Sequence, residues 1–440
     1  MMKKRNLIDI MKGLAVLAAI FLLLGCSRKE TAAASGGAGG TSGGKVTITI
    51  IAWGEPGRQA AQKRMDDKFM ERNPDIEVVF DWPANMDEVL SAGHAAGNPP
   101  DVFFAQEMNP PRQVAAGMME PPDDYMAKDP DFRKDELFPS LFEPFIIDGK
   151  TYVIPSVTYA TVLYYNKDLF DKAGMAYPDE SWTWDTYRDA AVKLTVDENN
   201  DGRIDQYGCG VDKLINFYLP WIFTNGGEYM APDRKTFLMN SPQSAQALQF
   251  LRDLIYTYKA CPAPTINVEA VTSAFIFQSG KVAMEVMGSW MTPTYDTLDF
   301  DYGITYMPKS PHTGKRVPMA YPNGFAMAAR GKNKDAAWRY ISYVASKEGQ
   351  EILGSAGLGM PTNIEVANSD IFLKSSPKAD MRVVVESMKI AKGPITSPKM
   401  GQMDADIIAP LGDEIFLNRR DTQEVLNEMK VKSEALTFAP

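Results

Sequence analysis

With 440 residues, the chain exceeds what one ordinary core organises, so two or three domains are expected. Its 45% hydrophobic and 23% charged residues are those of a globular protein, and its 46 basic against 56 acidic side chains (net -10), with no densely basic stretch, argue against a nucleic-acid partner. Two His and three Cys exclude a multi-cysteine zinc module and a disulfide-dense scaffold, and they leave only His94 or His312 as imidazole base for any Ser or Cys nucleophile.

The chain opens with Lys3, Lys4 and Arg5, followed by an unbroken apolar run from Leu14 to Leu24. That run suits a signal-peptide core and falls short of the ~18 residues a spanning helix needs. It closes on Leu23-Leu24-Gly25-Cys26, which resembles the bacterial lipobox; Leu24 departs from the small residue usual there. The resemblance implies that residues 1–25 are a signal peptide and that Cys26 carries the lipid; the alternative is a cleaved signal with an unmodified Cys. Residues 26–45 are rich in Gly, Ser and Ala and are expected to be a flexible tether. The protein is therefore expected to be exported and lipid-anchored to a membrane it does not cross. In an oxidising compartment Cys209 and Cys261 could pair, a point their positions leave open. Gly39, Gly44 and Lys45 match most of a phosphate-loop pattern, but Val46 stands where Ser or Thr is needed and the segment precedes a strand.

From Val46 onward strands and helices alternate. Val46, Ile48 and Ile50 predict a strand; Ala61, Met65 and Phe69 predict a helix ending before Pro74. Residues 76–80 predict a strand, 86–96 a helix and 101–104 a third strand. This order implies an α/β fold with mainly parallel sheets, whose ligands bind beyond the carboxyl ends of the strands. Trp53, Glu55 and Gln106 lie just past two of those ends. Ser241-Pro242 caps a helix with Leu248, Leu251 and Ile255 on one face, and residues 335–346 predict another with Trp338, Ile341 and Ala345 inward.

Several blocks now carry a resemblance. Asn98-Pro99-Pro100-Asp101, Asp148-Gly149-Lys150-Thr151-Tyr152, Leu163-Tyr164-Tyr165-Asn166-Lys167, Gln278-Ser279-Gly280-Lys281 closing on Gly288-Ser289-Trp290, and Ser346-Lys347-Glu348-Gly349-Gln350 are similar, in order and spacing, to the extracellular solute-binding proteins of the maltose-binding type. The resemblance implies a two-lobed periplasmic-binding-protein type II fold joined by hinge strands. Lobe 1 would hold 46–157 plus 285–328, and lobe 2 would hold 158–284 plus 329–440. Crossings are expected near 155–161, 283–290 and 325–330. The implied function is that of the substrate receptor of an ABC importer: a monomer that binds a carbohydrate, as an oligosaccharide, and delivers it to the membrane permease without turnover.

Sugar rings present apolar C–H faces and a rim of hydroxyls, which aromatic planes and amide or carboxyl groups satisfy. Beside Trp53, Glu55 and Gln106, the implied hinges and loops offer Tyr159, Trp221, Asn225, Trp290, Tyr321 and Asn323 as substrate-binding residues. For each, the alternative is a buried hinge aromatic or a satisfied loop amide. Asp197, Asn199, Asp201 and Asp205 occupy places 1, 3, 5 and 9 of a calcium loop with Gly202 at place 6. Gly208 stands where the bidentate Glu belongs, so the reading tilts toward a connection shaped by Asx turns, with a structural Ca2+ as the other. No cofactor is required. Two further readings stay open: a surface glycan-active lipoprotein enzyme using two carboxylates, and the same fold with a non-sugar ligand. The acidic balance speaks against an anionic ligand.

Overall fold

The computed structural model describes residues 44–54, 56–263, 273–357 and 359–438. The expected leader, Cys26 and nearly all of the tether lie outside the described residues, as does Glu55. Among the described residues no helix is long and apolar enough to cross a membrane.

The first third folds as its periodicity requires. β1 (Val46–Ile51) buries Ile48 and Ile50, and α1 (Pro56–Arg72) buries Ala61, Met65 and Phe69. β2 (Ile76–Asp81) follows, then α2 (Met86–Ala95), whose Asn85 cap accepts from the Glu88 N–H. β3 (Val102–Gln106) completes the unit, and β1 pairs in parallel with both β2 and β3. Asp101 clamps this edge. One carboxylate oxygen accepts from the Thr49 N–H at 3.0 Å, and the other from the N–H groups of Lys332 and Asn333, each at 3.0 Å.

The sheets are mixed rather than mainly parallel. β4 (Ile154–Thr158) and β8 (Asn323–Ala328) join the first sheet antiparallel, giving the order β9-β4-β8-β3-β1-β2 with β9 (Met360–Pro361) at one edge. Met119–Glu120 adds a short seventh strand beside β8. The second sheet, β7-β5-β6, is wholly antiparallel: β5 (Thr161–Asn166) lies between β6 (Met284–Gly288) and β7 (Tyr302–Thr305). Only β1 to β3 are linked by the helical crossovers that enforce parallel pairing. Of the later strands β8 enters from the second lobe, and it runs antiparallel to both β3 and β4.

Strand pairing also groups the chain differently from the expected division. β6 and β7, within 285–328, belong to the second sheet. Residues 329–361 return to the first: α6 (Lys334–Ala345) packs on β1, β4 and β8, and α7 (Lys347–Ser355) packs on α1. Chain crossings occur at 158–161, as expected, and between Thr305 and Asn323, while 283–290 and 325–330 lie within single sheets. At the hinge the Tyr321 N–H donates to Tyr159 O at 2.9 Å, the Thr161 N–H to Met319 O at 3.0 Å, and the Ala320 N–H to Lys392 O at 3.0 Å. Three chain segments thus run side by side where the two sheets meet.

The second lobe is built on α3 (Trp184–Lys193), α4 (Ile215–Thr224) and α5 (Pro242–Tyr256), with α8 (Ala409–Phe416) and α9 (Thr422–Thr437) from the C-terminal part. Ser241 caps α5 as expected, and Leu248, Leu251 and Ile255 are buried. Cys209 and Cys261 form a disulfide with Cα atoms 5.0 Å apart, linking the segments that follow α3 and α5.

Candidate functional site

Six chain segments converge on one cavity of about 780 Å³. The carboxyl end of β1 brings Trp53, and the first turn of α1 brings Arg58. The end of β3 brings Gln106 and Glu107, the hinge brings Tyr159, Tyr321 and Asn323, and the turn after β6 brings Trp290. Asn216, at the start of α4, and Met291, Pro293, Thr294 and Thr297 complete the wall from the second-lobe side. Ligand sites of this size bury most of a drug-sized molecule.

Its wall is aromatic and tightly set. Trp290 meets Tyr159 edge-on at 5.8 Å and Tyr321 at 4.8 Å between ring centroids. Gly288 makes this possible, because a Cβ there would lie 1.8 Å from Trp290 Cζ3. Trp53 stands edge-on to Phe104 at 6.0 Å. The Tyr321 hydroxyl donates to Asn216 O at 2.8 Å, and an Arg58 N–H donates to the Tyr159 hydroxyl. Meanwhile Trp53 Nε1, Arg58 Nε, Asn216 Oδ1 and Asn323 Oδ1 are buried without a hydrogen-bond partner. Such groups normally find one; here they surround open volume, where a polar ligand would supply it. Burial pushes the Glu107 carboxyl up to about 7.

A second cavity of about 470 Å³ shares Asn216 with the first. It continues past Met108 and Asn109 toward Arg112, Lys213, Tyr218 and Asp404. Arg112 pairs with Asp87 at 2.9 Å and Lys213 with Asp413 at 2.5 Å. The two cavities thus adjoin at Asn216.

Of the expected site residues, Trp53, Gln106, Tyr159, Trp290, Tyr321 and Asn323 line the cavity together. Trp221 and Asn225 do not. Trp221 is 3% exposed and packs at 5.5 Å from each of Trp184, Tyr187 and Phe250. Asn225 donates to Gln243 O at 2.8 Å and accepts from the Ser310 hydroxyl at 2.6 Å, a satisfied loop amide. Apart from Asn216 and Thr224 the α4 segment is apolar, so its periodicity does not say whether Trp221 faces outward. Arg58, Glu107 and Asn216 went unexpected. The first two carry the signal that found Trp53 and Gln106, being close behind the ends of β1 and β3; Asn216 has no local signal.

The loop at 197–205 is held by its own backbone. Asp197 accepts from the N–H groups of Asp201 and Gly202, at 3.2 and 2.8 Å, Asn199 from Asp201 at 2.9 Å, and Asp205 from Glu198 at 2.9 Å. The Asn199–Asp201 bond is an Asx turn, as is that from the Arg203 N–H to Asp201 at 2.8 Å, while the Asp197 and Asp205 carboxylates close wider spans of the loop. Among the described residues no three acidic, His or Cys side chains converge on a cation site.

The pattern of the bacterial extracellular solute-binding proteins matches residues 52–351. A Brucella abortus chain named only as a binding protein is 25% identical over 379 residues, 84% of this chain and 87% of its own length. The maltotriose-binding protein of Pyrococcus abyssi is 23% identical over 336 residues, 74% of this chain and 69% of its own. Among solved structures, an ABC substrate-binding protein from Listeria monocytogenes in complex with cycloalternan shares the fold with a TM-score of 0.79, at 24% identity, covering 89% of this chain and 99% of that one.

Proposed function

Because the chain belongs to the bacterial extracellular solute-binding protein family, whose members are exported binding proteins, we propose that it is the receptor of an ABC importer that takes up an oligosaccharide. The observation that carries this reading is the cavity itself: aromatic edges and planes from both sheets, with unpartnered amide, indole and guanidinium atoms between them. Aromatic faces accept the C–H face of a sugar ring and the polar atoms accept or donate to its hydroxyls. The maltotriose-binding relative supports a sugar, and the second cavity beyond Asn216 supports more than one ring. Closure of the lobes about the 158–161 and 305–323 crossings would complete the enclosure.

Binding without turnover fits the site better than hydrolysis. Glycosidases need two carboxyl groups about 5–10 Å apart. Among the described residues, Glu107 is the one carboxyl lining the first cavity; in the second, Asp87 is paired with Arg112, which leaves Asp404. Anchoring through a lipid on Cys26, action as a monomer and delivery to a permease complete the proposal. Calorimetric titration over a panel of di- to pentasaccharides tests it. Saturable binding that Trp290→Ala weakens and no cleavage product are expected; release of shorter glycans would establish the enzyme reading instead. Cys26→Ala should release the protein from the membrane fraction, and retention in high salt would remove the anchor.

A further inference from the structure

We propose that the ligand carries an oxyanion, a carboxylate or a phosphate, and that Arg58 receives it. The proposal refines the carbohydrate reading to an acidic sugar and rests on the same cavity.

Arg58 is 9% exposed, lines the cavity, and makes no ion pair with any described residue. Other buried or half-buried cations are met either by a carboxylate, as Arg112 by Asp87, Lys213 by Asp413 and Lys334 by Glu120, or by backbone carbonyls, as Arg234 by Thr396 O, Arg316 by Glu180 O and Lys378 by Phe300 O. The Arg58 side chain is held in place. A Cβ on Gly54 would lie 2.6 Å from Arg58 Cδ and 2.9 Å from Trp82 Cζ3, so only glycine lets the stem pass. The guanidinium sits over Trp53 at 5.1 Å and Phe104 at 5.6 Å and donates to the Tyr159 hydroxyl, while Nε lacks an acceptor. A buried cation without a counter-charge is costly, and a planar guanidinium recovers that cost best from a two-oxygen anion. α1 begins beside it at Pro56, adding the positive end of a helix of 17 residues. Glu107 supplies little counter-charge, because burial holds it largely protonated below neutral pH. The net charge of -10 that speaks against anions is carried by the chain as a whole, and exposed carboxylates are screened beyond about 8 Å. Among the described lining residues, Arg58 and Glu107 are the charged ones, and their balance is the opposite.

Thermal shift and calorimetry with matched pairs test this: glucose against glucuronate and glucose 6-phosphate, galacto-oligosaccharides against oligogalacturonates, with inorganic sulfate as the anion alone. The acidic member is expected to bind at least tenfold tighter, about 1.4 kcal/mol. The carboxylate and phosphate arms separate the two sources. Arg58→Gln should abolish the preference, and Arg58→Lys, which keeps the charge, should retain part of it; the apo midpoint and circular dichroism of each variant report folding. Tighter binding of the neutral member, or a preference that survives Arg58→Gln, overturns the anion site and leaves the carbohydrate reading standing. Sulfate stabilisation that needs Arg58, with no sugar bound, keeps the anion site and removes the carbohydrate reading. No Arg58-dependent response to any anion, sulfate included, overturns the site.

Discussion

Two aromatic clusters of similar make-up lie in this molecule. One, Trp53 with Tyr159, Trp290 and Tyr321, lines the cavity between the sheets. The other, Trp184 with Tyr187, Trp221 and Phe250, fills the second lobe, with Trp184 stacked on Phe250 at 4.7 Å. Both contain buried polar atoms without partners: Trp53 Nε1 in the first, Trp184 Nε1 and the Tyr187 hydroxyl in the second. An unpartnered polar atom therefore does not mark a site by itself. What separates the clusters is open volume. Around Trp184 other rings occupy the space, whereas around Trp53 and Trp290 they leave a chamber.

The comparison breaks first, and most visibly, at Trp221. Removing a packed tryptophan costs about 3–5 kcal/mol. Trp221→Ala should therefore lower the unfolding midpoint steeply while the folded fraction keeps its ligand affinity. A variant of normal stability and weakened binding would move Trp221 back to the cleft.

The Cys209–Cys261 disulfide staples that same packed cluster by joining the segments after α3 and α5. A closed loop with a sequence separation of 52 is worth on the order of 4 kcal/mol in the chain-entropy account. A Cys209→Ser, Cys261→Ser double variant should melt earlier, and the cavity residues should feel it only through global unfolding. An unchanged midpoint would show that the disulfide adds nothing to packing.

Buried carboxyls divide along the same line. In the first-lobe core, Asp66 Oδ1 accepts from Gln62 Nε2 at 2.9 Å and from the Tyr340 hydroxyl at 2.7 Å, yet burial raises its pKa to about 6. A pKa raised on folding contributes stability that is present in acid, below about 4, and is lost as pH rises through 6, here at most about 3 kcal/mol. Asp66→Asn keeps the accepting oxygen and removes the charge. It should match the wild type near pH 4 and exceed it at pH 8. Parallel stability curves would mean that the carboxyl is not desolvated as its burial implies. Glu107, raised to about 7 in the cavity wall, acts in the same direction.

At the cavity, Trp290→Ala should weaken binding of a bound oligosaccharide at least tenfold, about 1.4 kcal/mol, and leave most of the apo midpoint in place. Destabilisation equal to that of Trp221→Ala with normal binding would make Trp290 a packing residue of the hinge. The smallest effect is expected at 197–205. With its oxygens committed to backbone N–H groups, the midpoint should be the same in chelator and in millimolar calcium, and a calcium-dependent rise would restore the ion.

Several features were legible residue by residue. The β1-α1-β2-α2-β3 unit follows from periods of two and 3.6, which neighbouring side chains impose on any backbone. The Ser241 cap and the inward face of Trp338, Ile341 and Ala345 follow from the same local rules. Trp53 and Gln106 were found because a strand end in a parallel unit opens on a crevice wherever the rest of the chain lies. The family blocks carried the two-lobed fold. Lobe membership was another matter. Asn323–Ala328 inserts between strands formed by 102–106 and 154–158, and no property of the segment itself says which sheet will take it. The same holds for Trp221 and Trp290, alike in type and in apolar surroundings, and for the cysteines, 52 positions apart. Whether a tryptophan meets ring or void, and whether a cation such as Arg58 meets a carboxylate, depends on segments a hundred or more residues away. Only the closed tertiary structure brings those together.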